Sequence, residues 1–414
     1  MRPATAVLLV LLASSTALGQ NTPPPSSPFP PPIIAYEGRY VDSAQTPDFQ
    51  FPDRTLRTYK AKTAPELNLM LVSLSGSAFA AYDLTTLPPR LASAARSTGA
   101  HGEKYLPPDI FFDAQNPGSG FTIIPQDGQI FLRDFDYDDR GDFYLAYSAW
   151  GFGLIDRNAH LLSQVLTPAA VARRILSVRL AGSYYALVSD LVGATAVYDV
   201  TNAASPALVR VLPFGIIAYA KGNSAVAVVT GTHNSTLRFY TPSALVAGNA
   251  PFQEIVSPSE NFVDVTTDGS RFFALLSASV ATLTPQTNVS YSESYTPLPF
   301  NALGFSISYG AGYLGVPALF SSLGAVYKGL LLFTVGGSGL TDSSYVIPAY
   351  SSPSIGPDSA VPFSAGGSTN LLLAYAGVGD VFELAPVTPI PAVSPFALGI
   401  VALSMLAIAA LKLR

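Results

Sequence analysis

Apolar residues in this chain come in short runs, each broken by a Ser- or Gly-containing turn and then resumed, and the runs rarely alternate cleanly with polar residues. Met70–Leu84 reads MLVSLSGSAFAAYDL, Phe143–Asp156 reads FYLAYSAWGFGLID, and Tyr184–Val200 reads YYALVSDLVGATAVYDV. Ser224–Tyr240, Phe272–Leu283 and Leu371–Phe382 repeat the form, and Tyr313–Phe333 is a longer, Gly-rich copy. Runs of this length, rich in Val, Leu, Tyr and Phe and bounded by turn residues, predict strands joined as hairpins. The missing alternation predicts strands covered on both faces.

The spacing of the copies sets the architecture. Taking Tyr82, Ile155, Tyr198, Tyr240, Leu283, Phe333 and Phe382 as end points, the gaps are 73, 43, 42, 43, 50 and 49 residues. All but the first match the roughly 40–50 residues of a four-stranded propeller blade. A small sheet that is apolar on both faces cannot bury itself alone, and radial stacking covers both faces. The expectation is an all-β propeller of about seven four-stranded blades over 33–385, with Ile33–Tyr36 completing the last blade; a sandwich or a two-domain β protein is the alternative. Val197-Tyr198-Asp199-Val200-Thr201-Asn202, followed by Ser205-Pro206-Ala207-Leu208-Val209, resembles the LVIVD and lactonase-like propeller repeats. That resemblance implies the fold and not an activity, because propellers host many functions.

Composition narrows the function classes. The chain has 414 residues with 22 Lys+Arg, 27 Asp+Glu, three His, no Cys and 35 Pro. Zero Cys excludes disulfides, zinc–thiolate sites and cysteine nucleophiles. A net charge of −5 argues against nucleic acid as a partner, since phosphate neutralisation needs a basic face.

Both ends read as addresses. Arg2, the apolar stretch Thr5–Ala13 and the small residues Ser14–Gly19 form a secretory signal, residues 1–19, with cleavage before Gln20. A Pro-rich spacer (20–32) follows, with seven Pro between Pro23 and Pro32, and a Pro-rich linker (386–395) precedes the tail. Both predict stiff polyproline II. Phe396–Leu411 is 16 residues without a charge. It predicts a transmembrane helix of about 24 Å, extended toward the ~30 Å hydrocarbon core by its flanks. A buried C-terminal helix is the alternative. Ile390, Pro391 and Ser394, then Phe396, the apolar helix and the basic Lys412 and Arg414, resemble the IPTL-CTERM class of bacterial sorting tails. The resemblance implies a Gram-negative-type envelope protein whose tail is recognised by a sorting membrane protease.

Candidate chemistry is sparse. Asp134, Asp136 and Asp138 alternate and precede Asp139-Arg140-Gly141-Asp142, a pattern similar to calcium loops. Strand alternation sends the three carboxylates to one face, where they repel unless a cation joins them. The competing reading is a blade strand entering an Asp-Arg-Gly-Asp turn. An insertion over Pro88–Pro125 carries His101, Glu103, Lys104, Asp109 and Asp113, as a ligand loop or as decoration of a blade. His101, His160 and His233 show no metalloprotease spacing. Asn234-Ser235-Thr236 and Asn288-Val289-Ser290 fit the glycosylation pattern. The sequence therefore predicts an exported envelope module binding a protein or glycan ligand. An extracytoplasmic lactonase-like hydrolase, with Asp134 or Glu260 around a metal, is the second expectation.

Overall fold

The structure is a computed structural model that describes residues 33–36 and, with internal gaps, 58–384; the longest gaps are 99–119 and 347–358. The predicted signal, both Pro-rich segments, the sorting tail and the C-terminal helix lie outside the described residues. Among the described residues no helix is long and apolar enough to cross a membrane.

The strands of the described residues form seven sheets. The inner strands, first in each sheet, are Thr58–Ala64, Leu132–Tyr137, Arg174–Leu180, Ala218–Lys221, Phe262–Thr267, the broken pair Leu303–Gly304 and Ser308–Gly310, and Ser359–Ala365. Sheets two to five are antiparallel meanders of four consecutive strands. Ile33–Tyr36 pairs antiparallel with Val378–Glu383, so the first strand of the chain finishes the last sheet, as the sequence predicts.

The expected insertion is corrected at both ends. Arg90–Thr98 is the fourth strand of sheet one, and Gly120–Pro125 adds a fifth strand parallel to it. The gap of 73 residues thus includes sheet-forming chain that the short apolar runs did not signal. His101, Glu103, Lys104, Asp109 and Asp113 fall outside the described residues.

Packing explains the missing alternation. Phe143–Tyr147 and Phe272–Leu276 are buried at every position. Phe143, Leu145 and Tyr147 pack with Leu71 and Phe79 of sheet one, whereas Tyr144 and Ala146 pack with Ala186 and Val188 of sheet three. Phe272 and Ala274 join Val229 and Phe239 of sheet four, while Phe273 and Leu275 join Leu314 and Val316 of sheet six. Odd and even residues of one strand therefore serve two different cores, and each such core is shared by neighbouring sheets. The fold is an all-β propeller.

Hydrogen bonds between inner strands fix their direction. Lys60 and Lys62 reach Asp134 and Asp136 at the same offset of 74 residues. Asp134 and Asp136 accept from the N–H groups of Ile175 and Ser177 at an offset of 41. Asp264 and Thr266 accept from the N–H groups of Ile307 and Tyr309 at 43. Two successive contacts at one offset mean that the strands run parallel and in register. Between sheets six and seven the backbones themselves approach: a Cβ at Gly310 would lie 1.9 Å from the carbonyl oxygen of Pro362, and one at Gly315 would lie 2.5 Å from that of Ala360. Ser359 Oγ accepts from the Ala61 N–H at 3.3 Å, joining sheet seven to sheet one.

Candidate functional site

The densest polar cluster is built by inner strands of four sheets. Sheet one contributes Lys60 and Lys62, sheet two Asp134 and Asp136, sheet three Arg174 and Ser177, and sheet four Tyr219 and Lys221. Side chains of sheets one and four, which are not neighbours, meet on the same Asp136 carboxylate. That convergence places the cluster on the axis of the ring.

Asp134 is fully buried, pairs with Lys60 Nζ at 2.5 Å and accepts from the Ile175 N–H at 3.1 Å. Asp136, also buried, accepts from Lys62 Nζ at 2.9 Å, Lys221 Nζ at 2.9 Å, the Ser177 N–H at 2.7 Å and Ser177 Oγ at 3.0 Å. Tyr219 receives the Lys62 ammonium at its oxygen at 3.2 Å and donates to the Ile175 carbonyl at 2.6 Å. Aromatic faces flank the lysines: Lys62 Nζ lies 4.9 Å from the Phe135 ring centre and Lys221 Nζ 4.9 Å from that of Tyr137. Such contacts favour a cation that has lost part of its water.

Burial and charge oppose each other here. Burial pushes the Asp136 carboxyl upward, but the charges of Lys221 and Lys62 and the Ser177 N–H outweigh it and hold the group well below the usual carboxylate range. Lys60 is lowered, first by desolvation, with Lys62 and Arg174 adding to this and Asp134 acting against it. Tyr219 is raised well above its ordinary value by desolvation and then by the charges of Asp134 and Asp136. Its hydroxyl therefore stays protonated and keeps its donor role.

The three aspartates predicted as a set divide into two groups. Asp134 and Asp136 lie in the axial cluster, where lysines supply the counter-charge that their alternation demands. Asp138 instead closes the turn after the strand. It accepts from Arg140 Nε at 2.9 Å, Arg140 Nη2 at 2.7 Å, Tyr144 Oη at 2.7 Å and the Asp142 N–H at 3.2 Å. Gly141 takes a φ of +86° in that turn, a conformation that favours glycine. Among the described residues no group of three or more His, Asp or Glu side chains is arranged to hold a metal ion. Glu260 accepts from the Ala278 N–H beside sheet five, and the exposed His160 bonds Asp156.

Sequence reasoning missed Lys60, Lys62 and Lys221. A signal was present, because Lys-Ala-Lys at 60–62 has the same two-residue step as Asp-Phe-Asp at 134–136. The two triplets lie 74 residues apart, close to the 73-residue spacing of the first two repeats. Matching steps of opposite charge, separated by one repeat, are what neighbouring inner strands produce.

The comparisons bear on the fold. No family model matches the chain, and no curated protein matches it. Solved structures do. The β-propeller domain of Myceliophteria thermophila Cps50 (Swd1) superposes with a TM-score of 0.55 at 10% identity, over 80% of this chain and 97% of that one. The Neurospora crassa Pan2 WD40 domain gives 0.52 at 11% identity, over 81% and 92%. A chain of a mitotic checkpoint complex gives 0.55 at 10% identity, over 89% and 98%. At these identities the likeness concerns the β-propeller fold.

Proposed function

We propose that the chain is an exported, seven-bladed interaction module of the cell envelope that binds a partner protein along the outer edge of sheet three. The observation carrying this reading is the strand Ala207–Leu212, exposed at its first five positions, with Leu208, Val209 and Val211 at 55, 45 and 56% exposure. It is the last strand of its sheet, so its outward backbone groups have no strand partner there. An apolar edge of this kind is a template for another strand. The chain itself supplies a precedent, since the outer edge of sheet one takes Gly120–Pro125 as a fifth strand. The occupant proposed for sheet three is accordingly an extended, apolar segment of a partner protein.

Export and sorting rest on the terminal segments. Residues 1–19 would direct secretion, and Ile390, Pro391, Ser394, Phe396, Lys412 and Arg414 would address the chain to a membrane and its sorting protease. Calcium at Asp134, Asp136 and Asp138 forms no part of this reading, because a protein cation already holds each carboxylate.

The test has two arms. Full-length chain made in a Gram-negative host should fractionate with the envelope and lose its N-terminal 19 residues; an unprocessed cytosolic product overturns the export reading. Site-specific photocrosslinking from position 209 in envelope material should yield a discrete adduct that Leu208→Lys/Val211→Lys removes. An adduct unchanged by that double substitution overturns the edge-binding reading.

A further inference from the structure

The axial cluster holds more positive than negative charge. Four cations gather there (Lys60, Lys62, Arg174 and Lys221) while Asp136 serves two of them and Asp134 serves one. Among the described residues Arg174 has no carboxylate partner and its Nη2 has no acceptor: its Nε donates to the Ile217 carbonyl at 2.6 Å and its Nη1 to the Arg173 carbonyl at 3.1 Å. Shared neighbours bring it toward Lys60: Lys60 Nζ pairs with the Asp134 carboxylate that accepts from the Ile175 N–H and lies 5.4 Å from the Tyr219 ring centre, while Arg174, the residue before Ile175, bonds the carbonyl of Ile217, two residues before Tyr219. Asp264 is the third acid near Lys60, but its oxygens are taken by Ser306 Oγ, the Ile307 N–H and the Val265 N–H. Four cations thus face three carboxylates.

Position makes this surplus reachable. Inner strands run parallel around the axis, so their first residues open on one end of the ring. Arg174 begins its strand, and Lys60 and Asp134 are each third in theirs. Lys60 also keeps 35% of its side chain exposed. An ammonium and a guanidinium therefore belong to the same end of the ring, the first a point charge and the second a planar fork suited to two oxygens. Low-dielectric walls strengthen attraction at such a place.

We propose that this end of the axis binds a small soluble oxyanion, a polycarboxylate or phosphate, between Lys60 Nζ and the Arg174 guanidinium. The oxyanion supplies the negative charge that the three acids leave unmet, and it accepts the donors of Arg174 that no carboxylate takes up. The site belongs to the inner strands and is independent of the exposed edge of sheet three.

The experiment is titration calorimetry on the purified full chain, with citrate and inorganic phosphate as probes. Sodium chloride of matched ionic strength and glycerol serve as controls. Saturable binding of at least one oxyanion, weakened about tenfold or more in Arg174→Gln or Lys60→Gln, is expected. Each variant is first checked for an unchanged circular dichroism spectrum, and Lys60→Gln, at a partly exposed position, carries the test if Arg174→Gln does not fold. Absence of saturation by both oxyanions in the unsubstituted chain overturns the proposal. So does equal binding by the folded variants, or saturation by chloride alone.

Discussion

Asp136 is the residue on which the axial cluster turns. Its carboxylate bonds two lysines and both the N–H and the hydroxyl of Ser177, joining sheets one, two, three and four. Asp136→Asn keeps the shape and one acceptor oxygen but removes the charge that neutralises Lys62 and Lys221. Breaking a buried ion pair by removing one partner costs about 3–5 kcal/mol. The lysines retain some exposure, which lets water relieve part of the cost, so about 3 kcal/mol is expected. Urea unfolding at pH 7, followed by circular dichroism, reads the loss directly.

Acid gives an independent readout of the same group. The folded-state value of Asp136 lies below its unfolded value of 3.8, so the group's contribution is fully present above that pH and is lost as pH falls toward the folded value. Stability of the unsubstituted chain should therefore fall more steeply below about pH 4 than that of Asp136→Asn. Adding Lys62→Met to Asp136→Asn removes one unpaired cation and should recover about 1 kcal/mol or more through coupling between the two sites. A single variant within about 0.5 kcal/mol of the parent, or parallel acid profiles, would refute the reasoning.

Further outcomes follow from packing and exposure. Gly310→Val drives a side chain into the Pro362 carbonyl, 1.9 Å from its Cβ position, and should destabilise the chain by about 3 kcal/mol or abolish folding; an unchanged urea midpoint would contradict the close approach of sheets six and seven. Phe272→Ala and Phe273→Ala should each cost about 3–5 kcal/mol, and the two together should cost close to their sum because the rings serve separate cores. Leu208→Lys should change stability by less than about 0.5 kcal/mol, measured the same way, since half the residue already meets solvent. Chelator should leave thermal melting unchanged, as the acids at 134, 136 and 138 are held by Lys60, Lys62, Lys221 and Arg140; a lower midpoint on chelation would restore calcium to the account.

What was legible in the chain was its periodicity. End points at Ile155, Tyr198 and Tyr240 lie 43 and 42 residues apart, and the inner-strand contacts that join sheets two and three lie 41 apart. Repetition survives in sequence because every sheet solves the same burial problem. The pairing of Ile33–Tyr36 with the last sheet was legible for a similar reason, since a ring leaves one sheet a strand short. The axial lysines were not legible as a site. Lys60 and Lys62 look like ordinary surface charges in a strand, and only the neighbouring inner strand supplies Asp134 and Asp136. The alternation of the aspartates points to a need for a cation, but local sequence names neither its identity nor its origin in distant sheets. The fifth strand, Gly120–Pro125, escaped because parallel pairing across a long connection leaves no hairpin signature.

Ile33 stands opposite Glu383 in the pairing that finishes the last sheet. The ring is therefore fastened by a single clasp, where the first and the last described strands meet. Traction applied at Ile33 and Glu383 would load that one pair of strands and peel it open rung by rung, leaving the other described sheets in place until it gave way.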